Sequence, residues 1–245
     1  MTLSPAPPTV RRATAHRAPA ASTAGARALR AAGWLFLLAG AVVLLYIVYS
    51  LLFTNLQTQA EQSALLEQWQ LEVGEVGAVP APGEPATAEP APGEPAPLAA
   101  VDPGDALVVL QFARPGSPEP IVSADPLFVV GGVGVGDLQR GPGHYPTSAA
   151  PGAAGNFAVA GHRTTYGAPF YHLDQLAPGD EVLVTDRTGR RFSYRVAEQR
   201  VVNPGESSVL GPDPLGTGRP TLTLTTCNPR FSNAQRLIVF AELVA

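Results

Sequence analysis

The chain has 245 residues, a formal net charge of −4 at pH 7 and no lysine, so its sixteen basic residues are all arginines. Only residues 1–53 carry an excess of positive charge, and we therefore expect no nucleic-acid partner. One cysteine and four scattered histidines exclude an internal disulfide and a multi-cysteine zinc site, and we expect no metal and no cofactor.

The N-terminal region divides into a polar tail and an apolar stretch. Residues 1–30 are rich in alanine, proline, threonine and arginine, with too few large apolar residues for a core, and we predict a disordered tail. Residues 31–53 contain no charged residue. At about 1.5 Å per residue, a helix of this length spans about 34 Å, enough for a hydrocarbon core of about 30 Å. The sequence therefore predicts a transmembrane helix over residues 31–53.

Charge around this stretch predicts its orientation. Arginines occur before it and are absent from residues 54–104, so the positive-inside rule predicts a cytoplasmic N-terminus. The protein would then be a single-pass protein of the cell membrane, with everything after residue 53 outside the cell. A cleaved signal peptide is the competing interpretation, but its apolar region would run for about 7–15 residues and end in an Ala-x-Ala-like site. The longer apolar run favours an uncleaved anchor.

Residues 54–104 are predicted to be a stalk followed by a linker. Residues 55–76 have a weak helical pattern, and because no heptad is sustained we favour an unpaired, solvated stem over a coiled coil. Residues 78–103 are rich in proline and contain Ala-Pro-Gly-Glu-Pro twice, which is typical of an extended linker. At about 3.1 Å per residue, residues 80–97 could hold a domain up to about 55 Å from the membrane.

Residues 105–245 form the predicted globular domain, which is long enough for one sizeable core. Eight short strand-like runs with turn signals between them indicate a mainly β fold, either a barrel or a sandwich. These runs are residues 106–113, 119–122, 126–130, 157–161, 181–185, 191–202, 221–226 and 237–244. Further predicted elements are a hairpin turn at 186–189 and short helices at 137–140 and within 166–176.

The only cysteine is a candidate nucleophile. Cys227 ends the strand-like run 221–226, and Arg236 opens the run 237–244. A strand pair that closes on the loop between them would bring both residues to one rim of a sheet. A thiol with a fixed cation beside it can be held as the thiolate, which is the form that attacks carbonyls.

Nucleophilic cysteine chemistry also needs a proton carrier, and His162 is the best candidate. It follows the short apolar run 157–161, a position from which a side chain would project at a sheet or barrel rim. His144 is a second candidate. His16 lies in the predicted tail, and the setting of His172 is more typical of a structural or exposed side chain.

Two segments together carry a resemblance. Ala-Gly-His162-Arg-Thr-Thr-Tyr-Gly and Leu-Thr-Leu-Thr-Thr-Cys227-Asn-Pro-Arg-Phe-Ser, with Arg236 nine residues after the cysteine, resemble a sortase, most of all the class E sortases of actinobacteria. The resemblance covers residues 105–245 and implies a closed eight-stranded β-barrel with short helices and loops. It implies that Cys227 is the nucleophile, that His162 donates and later accepts a proton, and that Arg236 stabilises the oxyanion or holds the substrate backbone.

The resemblance also implies a function. Such an enzyme is a cysteine transpeptidase that cleaves a secreted protein's C-terminal sorting signal between threonine and glycine through a thioester. It then transfers that protein to an amine of a peptidoglycan precursor at the cell wall. Likeness to class E implies a Leu-Ala-x-Thr-Gly-like motif in place of Leu-Pro-x-Thr-Gly. Flanking residues that could line the substrate groove are Thr164, Thr165, Tyr166 and Thr226.

Two other functions remain open at the level of sequence. An L,D-transpeptidase that cross-links peptidoglycan would also use an extracytoplasmic cysteine, but its Ser-His-Gly-Cys pattern needs histidine where Thr225 stands. A papain-like peptidase would place its cysteine ahead of its histidine, the reverse of the order here. A non-catalytic, membrane-tethered β-module that binds wall or protein ligands is the alternative outside the enzymes, and it predicts that Cys227→Ala retains full function.

Overall fold

The computed structural model describes residues 23–76 and 104–244, apart from the side chains of residues 23 and 51–53. The chain divides into two compact units, residues 1–46 and residues 47–245. In the first unit, the described residues form part of one helix. The second unit contains the rest of that helix and the described strands.

The N-terminal helix, α1, runs over Thr23–Glu72 and is 50 residues long. It is long and apolar enough to cross a membrane, since an 18-residue window within it reaches a mean hydropathy of 2.6 with none of that window buried. The predicted span, residues 31–53, lies inside this helix. Because the helix begins at Thr23, the prediction of disorder is wrong for residues 23–30, while residues 1–22 lie outside the described residues.

The C-terminal part of α1 packs on the strands of the second unit. Leu65 and Trp69 are each only 1% exposed, and the indole of Trp69 meets the ring of Phe128 edge to face, with 6.0 Å between ring centroids. The amide of Gln62 forms hydrogen bonds with the backbone N–H and carbonyl of Phe128, at 2.9 and 3.0 Å. The prediction of a solvated stem is therefore wrong for this face of the helix. The predicted proline-rich linker lies outside the described residues.

Within residues 104–244, eight strands form a closed barrel in the order β1-β2-β3-β4-β7-β8-β6-β5, so each of these strands is paired on both sides. The pairs β2–β3 and β4–β7 are parallel, and the other neighbouring pairs are antiparallel. The strands are β1 (Ala106–Ala113), β2 (Leu127–Gly131), β3 (Gly143–His144), β4 (Asn156–Ala160), β5 (Glu181–Asp186), β6 (Arg191–Val202), β7 (Thr221–Asn228) and β8 (Gln235–Leu243).

In the described residues, three short helices lie between the strands: α2 (Val135–Arg140) and two 3₁₀ helices, Leu173–Gln175 and Ser207–Leu210. The first two of these lie where the sequence predicts short helices, and the turn at residues 186–189 joins β5 to β6 as predicted. The closed eight-stranded β-barrel that the resemblance implied is thus the observed fold.

Seven of the eight predicted strands correspond to observed strands, and one prediction is wrong. Residues 119–122 form bends instead of a strand, because prolines at 118 and 120 cannot donate a ladder hydrogen bond. Ile121 and Val122 are still buried, which accounts for the apolar pattern there. The remaining observed strand, β3, has only two residues and was not predicted.

Candidate active site

Cys227 and Arg236 are register partners on the antiparallel strands β7 and β8. Residues that face each other across such a pair have Cβ atoms about 4.5–5.5 Å apart and project to the same face of the sheet. Leu224 of β7 and Leu237 of β8 belong to the barrel core. Because side chains alternate along a strand, Cys227 and Arg236 both lie on the outer face of the barrel.

His162 lies in the neighbouring chain segment. In the parallel pair β4–β7, each residue faces the one numbered 65 higher, from Asn156 opposite Thr221 to Ala160 opposite Thr225. The ladder continues past β4, since the Gly161 N–H donates to the Thr225 carbonyl at 3.0 Å. The Thr226 hydroxyl also donates to the Gly161 carbonyl, so the residue directly before His162 is bonded to β7 on both of its backbone groups. The His162 segment therefore runs alongside the strand pair that carries Cys227 and Arg236, at one end of the barrel.

The segment before His162 is held by close packing. Gly161 is buried, and a Cβ built on it would lie 2.6 Å from the ring of Phe170. Any residue other than glycine would therefore require the Phe170 ring or the backbone to move. Phe170 is itself fully buried, and its N–H donates to the His162 carbonyl at 3.1 Å. The backbone of the histidine is thus fixed from both sides, by β7 and by the Phe170 segment.

The imidazole of His162 is half-buried beside Tyr166, with 4.9 Å between ring centroids. Burial lowers its pKa below the ordinary value, because desolvation disfavours the charged form. Tyr166 has a positive φ of 50°, which is uncommon for a residue other than glycine. The Gln139 side chain donates to the Tyr166 hydroxyl at 3.3 Å, and the Gly167 N–H donates to the Asn55 side chain at 2.9 Å. Helix α1 thus contacts the loop that carries Tyr166.

The guanidinium of Arg236 is half-buried and held by backbone oxygens. Its Nη1 donates to the carbonyls of Asn233 and Gln235, both at 2.9 Å. Within residues 23–76 and 104–244 it has no carboxylate within ion-pair distance. Its positive charge is therefore not neutralised within the described part of the chain, and it remains available to an anionic group on the outer face.

A second arginine, Arg163, contacts the nucleophile strand directly. Its side chain is only 4% exposed, and Nη1 donates to the Cys227 carbonyl at 3.2 Å and to the Asn228 side-chain oxygen at 2.7 Å. Its Nη2 pairs with a carboxylate oxygen of Asp174 at 3.2 Å. Sequence reasoning missed this residue. The one available signal was its place directly after His162 in the motif.

The other predicted site residues differ in what they contact. Thr226 is 3% exposed, and its hydroxyl donates to the Gly161 carbonyl at 2.8 Å, so it joins β7 to the histidine segment and offers no hydroxyl to a substrate. The prediction of a substrate contact is therefore unsupported for Thr226. Thr164 and Thr165 are half-buried in the loop after His162 and stay predictions.

Neither of the other histidines of the barrel region lies in the Cys227 and Arg236 strand pair. His144 on β3 is buried, stacked on Phe157, and its Nε2 is 2.9 Å from the Ser148 hydroxyl. Burial lowers the pKa of His144 below the ordinary value. His172 contacts the Gln175 side chain through Nδ1 at 3.0 Å. Both positions are those of structural histidines.

The arrangement combines the parts that acyl transfer needs. The thiol of Cys227 is partly accessible and is not in a disulfide. An imidazole in the adjacent segment could carry a proton, and a guanidinium across the strand pair could stabilise an oxyanion. These three functions are sufficient for nucleophilic attack on a peptide carbonyl.

Comparison with known proteins gives consistent matches. Residues 120–244 match the family described as Sortase domain. Among curated proteins, the chain is 32% identical to Sortase SrtE1 of Streptomyces coelicolor over 96% of this chain and 28% identical to Sortase SrtE2 of the same organism over 89%. It spans 61% of the length of SrtE1 and 83% of that of SrtE2.

Solved structures give the same fold. The SrtF sortase from Corynebacterium diphtheriae is 28% identical, with a TM-score of 0.53, over 62% of this chain and 91% of that one. The SrtA sortase from Actinomyces oris is 29% identical, with a TM-score of 0.51, over 61% of this chain and 86% of that one.

Proposed function

The chain belongs to the sortase family, whose members are cysteine transpeptidases, and we propose that it is a membrane-anchored transpeptidase that uses Cys227, His162 and Arg236. Its substrates are secreted proteins with a C-terminal sorting signal, and its acceptor is an amine of a peptidoglycan precursor. One observation carries this proposal: the segment that ends in His162 is bonded to the strand that carries Cys227, opposite Arg236, although the histidine and the cysteine lie 65 positions apart in sequence.

In the first half of the reaction, the Cys227 sulfur attacks the carbonyl carbon of the signal's threonine. A C–S bond forms, and the C–N bond to glycine breaks as the tetrahedral intermediate collapses. The leaving amine takes a proton from the imidazolium of His162, which becomes neutral. The products of this half are a thioester on Cys227 and a free peptide that begins with glycine.

In the second half, the acceptor amine attacks the thioester carbonyl. Neutral His162 accepts the proton that this amine loses, the C–S bond breaks, and a new amide forms. The lowered pKa of His162 favours its neutral form, which suits this proton-accepting step at neutral pH. Residue Cys227 returns to its starting state, and the histidine carries the proton needed for another cycle.

Arg236 is assigned to the oxyanion that forms in both halves. Its guanidinium keeps its charge at any physiological pH and presents several N–H donors in a planar fork. The carbonyls of Asn233 and Gln235 occupy Nη1, which leaves other N–H groups for the substrate. A donor placed where charge develops is worth about 10²–10³ in rate in comparable sites.

The helix α1 supports the proposed location. Residues 31–53 would cross the membrane with residues 1–30 in the cytoplasm, since arginines flank only the N-terminal side. The barrel would then face the cell wall, where secreted substrates and wall precursors meet. Likeness to SrtE1 and SrtE2 supports a preference for Leu-Ala-x-Thr-Gly over Leu-Pro-x-Thr-Gly, in line with the class E resemblance.

The test is peptide ligation by the full-length chain in detergent micelles. The protein is incubated with paired Leu-Ala-x-Thr-Gly and Leu-Pro-x-Thr-Gly peptides and triglycine, and products are identified by mass spectrometry. We expect a Thr–Gly ligated product, with more from the alanine-containing peptide, and none from Cys227→Ala. If the wild type gives neither ligation nor hydrolysis of either peptide, the proposed function is wrong; equal ligation by Cys227→Ala would favour a non-catalytic role for this cysteine.

A further inference from the structure

We propose that Arg163 is a positioning residue of the active site, which sets the place of Cys227 relative to His162. The inference rests on the function proposed above and deepens it. Arg163 follows the histidine directly in sequence and forms hydrogen bonds with the nucleophile's own backbone. It therefore connects the two residues whose relative placement determines proton transfer.

The side chain of Arg163 connects its own segment with two others. Nη1 donates to the Cys227 carbonyl at 3.2 Å and to the Asn228 side chain at 2.7 Å, at the end of β7. Nη2 pairs with Asp174 in the 3₁₀ helix Leu173–Gln175 at 3.2 Å. One planar group thus links the histidine segment, the nucleophile strand and the helix that follows the histidine loop. A fork of this shape fixes geometry in a way that a single donor does not.

Asp174 is shared with a second arginine. Arg230, in the loop between β7 and β8, donates to both carboxylate oxygens at 2.8 and 3.0 Å and also lies over the ring of Tyr171. Asp174 is 39% exposed, so it stays hydrated and paired when either arginine is removed. The carboxylate therefore does not depend on Arg163 for its own stability.

Stability alone does not account for the burial of Arg163. Its Nε is buried without a hydrogen-bond partner in the described part of the chain, and an unpaired buried donor costs about 1–3 kcal/mol. Its ion-pair partner Asp174 is 39% exposed, and an ion pair with a solvated member contributes little to stability. A buried arginine with one unpaired donor is thus a poor means of holding a fold together, but a suitable means of fixing the nucleophile.

The test separates positioning from folding through three variants of the full-length protein. Arg163→Met keeps the volume and removes the fork, while Arg163→Lys keeps the charge and one donor site. Arg230→Met is the matched control, because it removes the other arginine on Asp174 and leaves the bonds to Cys227 and Asn228 intact. Thermal unfolding, kcat and KM are measured for each, with the better sorting peptide and triglycine.

We expect Arg163→Met to unfold within about 4 °C of wild type, yet to lose about 100-fold in kcat with less than a threefold change in KM. Misplacement of a reacting group by about 1 Å is enough for such a loss. The kcat of Arg163→Lys should be about tenfold higher than that of Arg163→Met, and the kcat of Arg230→Met should stay within threefold of the wild-type value. A kcat within threefold of wild type for Arg163→Met, or equal losses in the two methionine variants, would overturn the proposal.

A second measurement does not depend on the sorting peptide. The rate constant for alkylation of Cys227 by iodoacetamide is measured at pH 7 by mass spectrometry of the intact protein. We expect it to change at least threefold in Arg163→Met and less than twofold in Arg230→Met, because only the first variant frees the end of β7. Equal rate constants in all three proteins would refute the positioning role, even if wild type ligates no peptide and the proposed function fails on its own.

Discussion

Cys227 and Arg236 face each other across the antiparallel strands β7 and β8, and β7 also forms the parallel pair with β4, the strand that leads to His162. Residues 229–234 form the loop between the two strands, and the pair next to this loop is Asn228 with Gln235. Cys227 and Arg236 form the following pair, one residue further from the loop on each strand. The thiol and the guanidinium therefore share the outer face of the barrel at one end.

Arg236→Lys should keep the charge but lose most of the activity. The ammonium cannot reproduce the fork that holds two carbonyls while it offers further donors, so we expect kcat/KM to fall about 10²-fold or more. Arg219→Lys is the control, because Arg219 is 53% exposed and pairs with Glu242. Steady-state ligation kinetics measure both. Equal activity of Arg236→Lys and wild type would remove Arg236 from the mechanism.

Gly161→Ala should displace the histidine segment. The added Cβ would lie 2.6 Å from the buried ring of Phe170, so we expect a loss of about 1–3 kcal/mol in the free energy of unfolding, with a fall in kcat. Gly205→Ala is the matched control, since no heavy atom lies within 4 Å of a Cβ there. Thermal unfolding and ligation assays distinguish the two. A Gly161→Ala variant as stable and active as the control would mean that this packing is not restrictive.

Trp69→Ala should show that the end of helix α1 is part of the folded unit. The indole is 1% exposed against Phe128, and its removal should cost about 3 kcal/mol or more in the free energy of unfolding. Leu71→Ala, at 88% exposure on the same helix, should change it by less than about 0.5 kcal/mol. Denaturant unfolding of the full-length chain measures both. Similar small effects from the two variants would indicate that the helix does not dock in solution.

Stability should fall as the pH drops below about 6.5. Burial lowers the pKa values of His162 and His144, so the unfolded chain binds more protons than the folded one in this range. The stabilisation from keeping these rings neutral is complete above about pH 6.5 and is lost as the pH falls through the folded-state pKa values. We expect a lower Tm at pH 5.5 than at pH 7.5, and a smaller difference in His162→Gln. A Tm that rises towards pH 5.5 would contradict the burial of these rings.

Seven of the observed strands could be predicted because they depend on local patterns, and the positions of Cys227 and Arg236 at strand ends predicted that they would meet. The choice of a closed barrel over a sandwich, and the assignment of His162 to the same site, rested on the resemblance to sortases. The strand β3 could not be predicted, because two residues are too few to show an alternation of apolar and polar side chains. Proline at 118 and 120 outweighed the apolar pattern that suggested a strand over 119–122.

The docking of helix α1 was missed for a different physical reason. The face that meets the barrel consists of Thr58, Gln62, Leu65 and Trp69, with a spacing that suits a helix, but half of its members are polar. Thr58 donates to the Gln139 carbonyl at 2.7 Å, and Gln62 bonds to Phe128. Polar side chains that satisfy backbone groups of a partner do not register as a hydrophobic stripe, so the pattern looked too weak to indicate a buried face.

Arg163 could not be distinguished from a solvated arginine by its sequence neighbours alone. Its acceptors are a backbone carbonyl and a side chain that lie 64 and 65 positions away, and no local pattern encodes such contacts. The same limit applies to Thr226, which the motif placed beside the nucleophile but which contacts the Gly161 carbonyl.

The proposed mechanism requires a thioester at Cys227. The full-length protein is mixed with a Leu-Ala-x-Thr-Gly peptide without an acceptor amine, and its intact mass is recorded over time. We predict an adduct with the mass of the fragment that ends in threonine, mapped to Cys227, released by hydroxylamine and accompanied by a free peptide beginning with glycine. Cleavage of the peptide by folded protein without an adduct at Cys227, or an adduct of equal yield in Cys227→Ala, would contradict it.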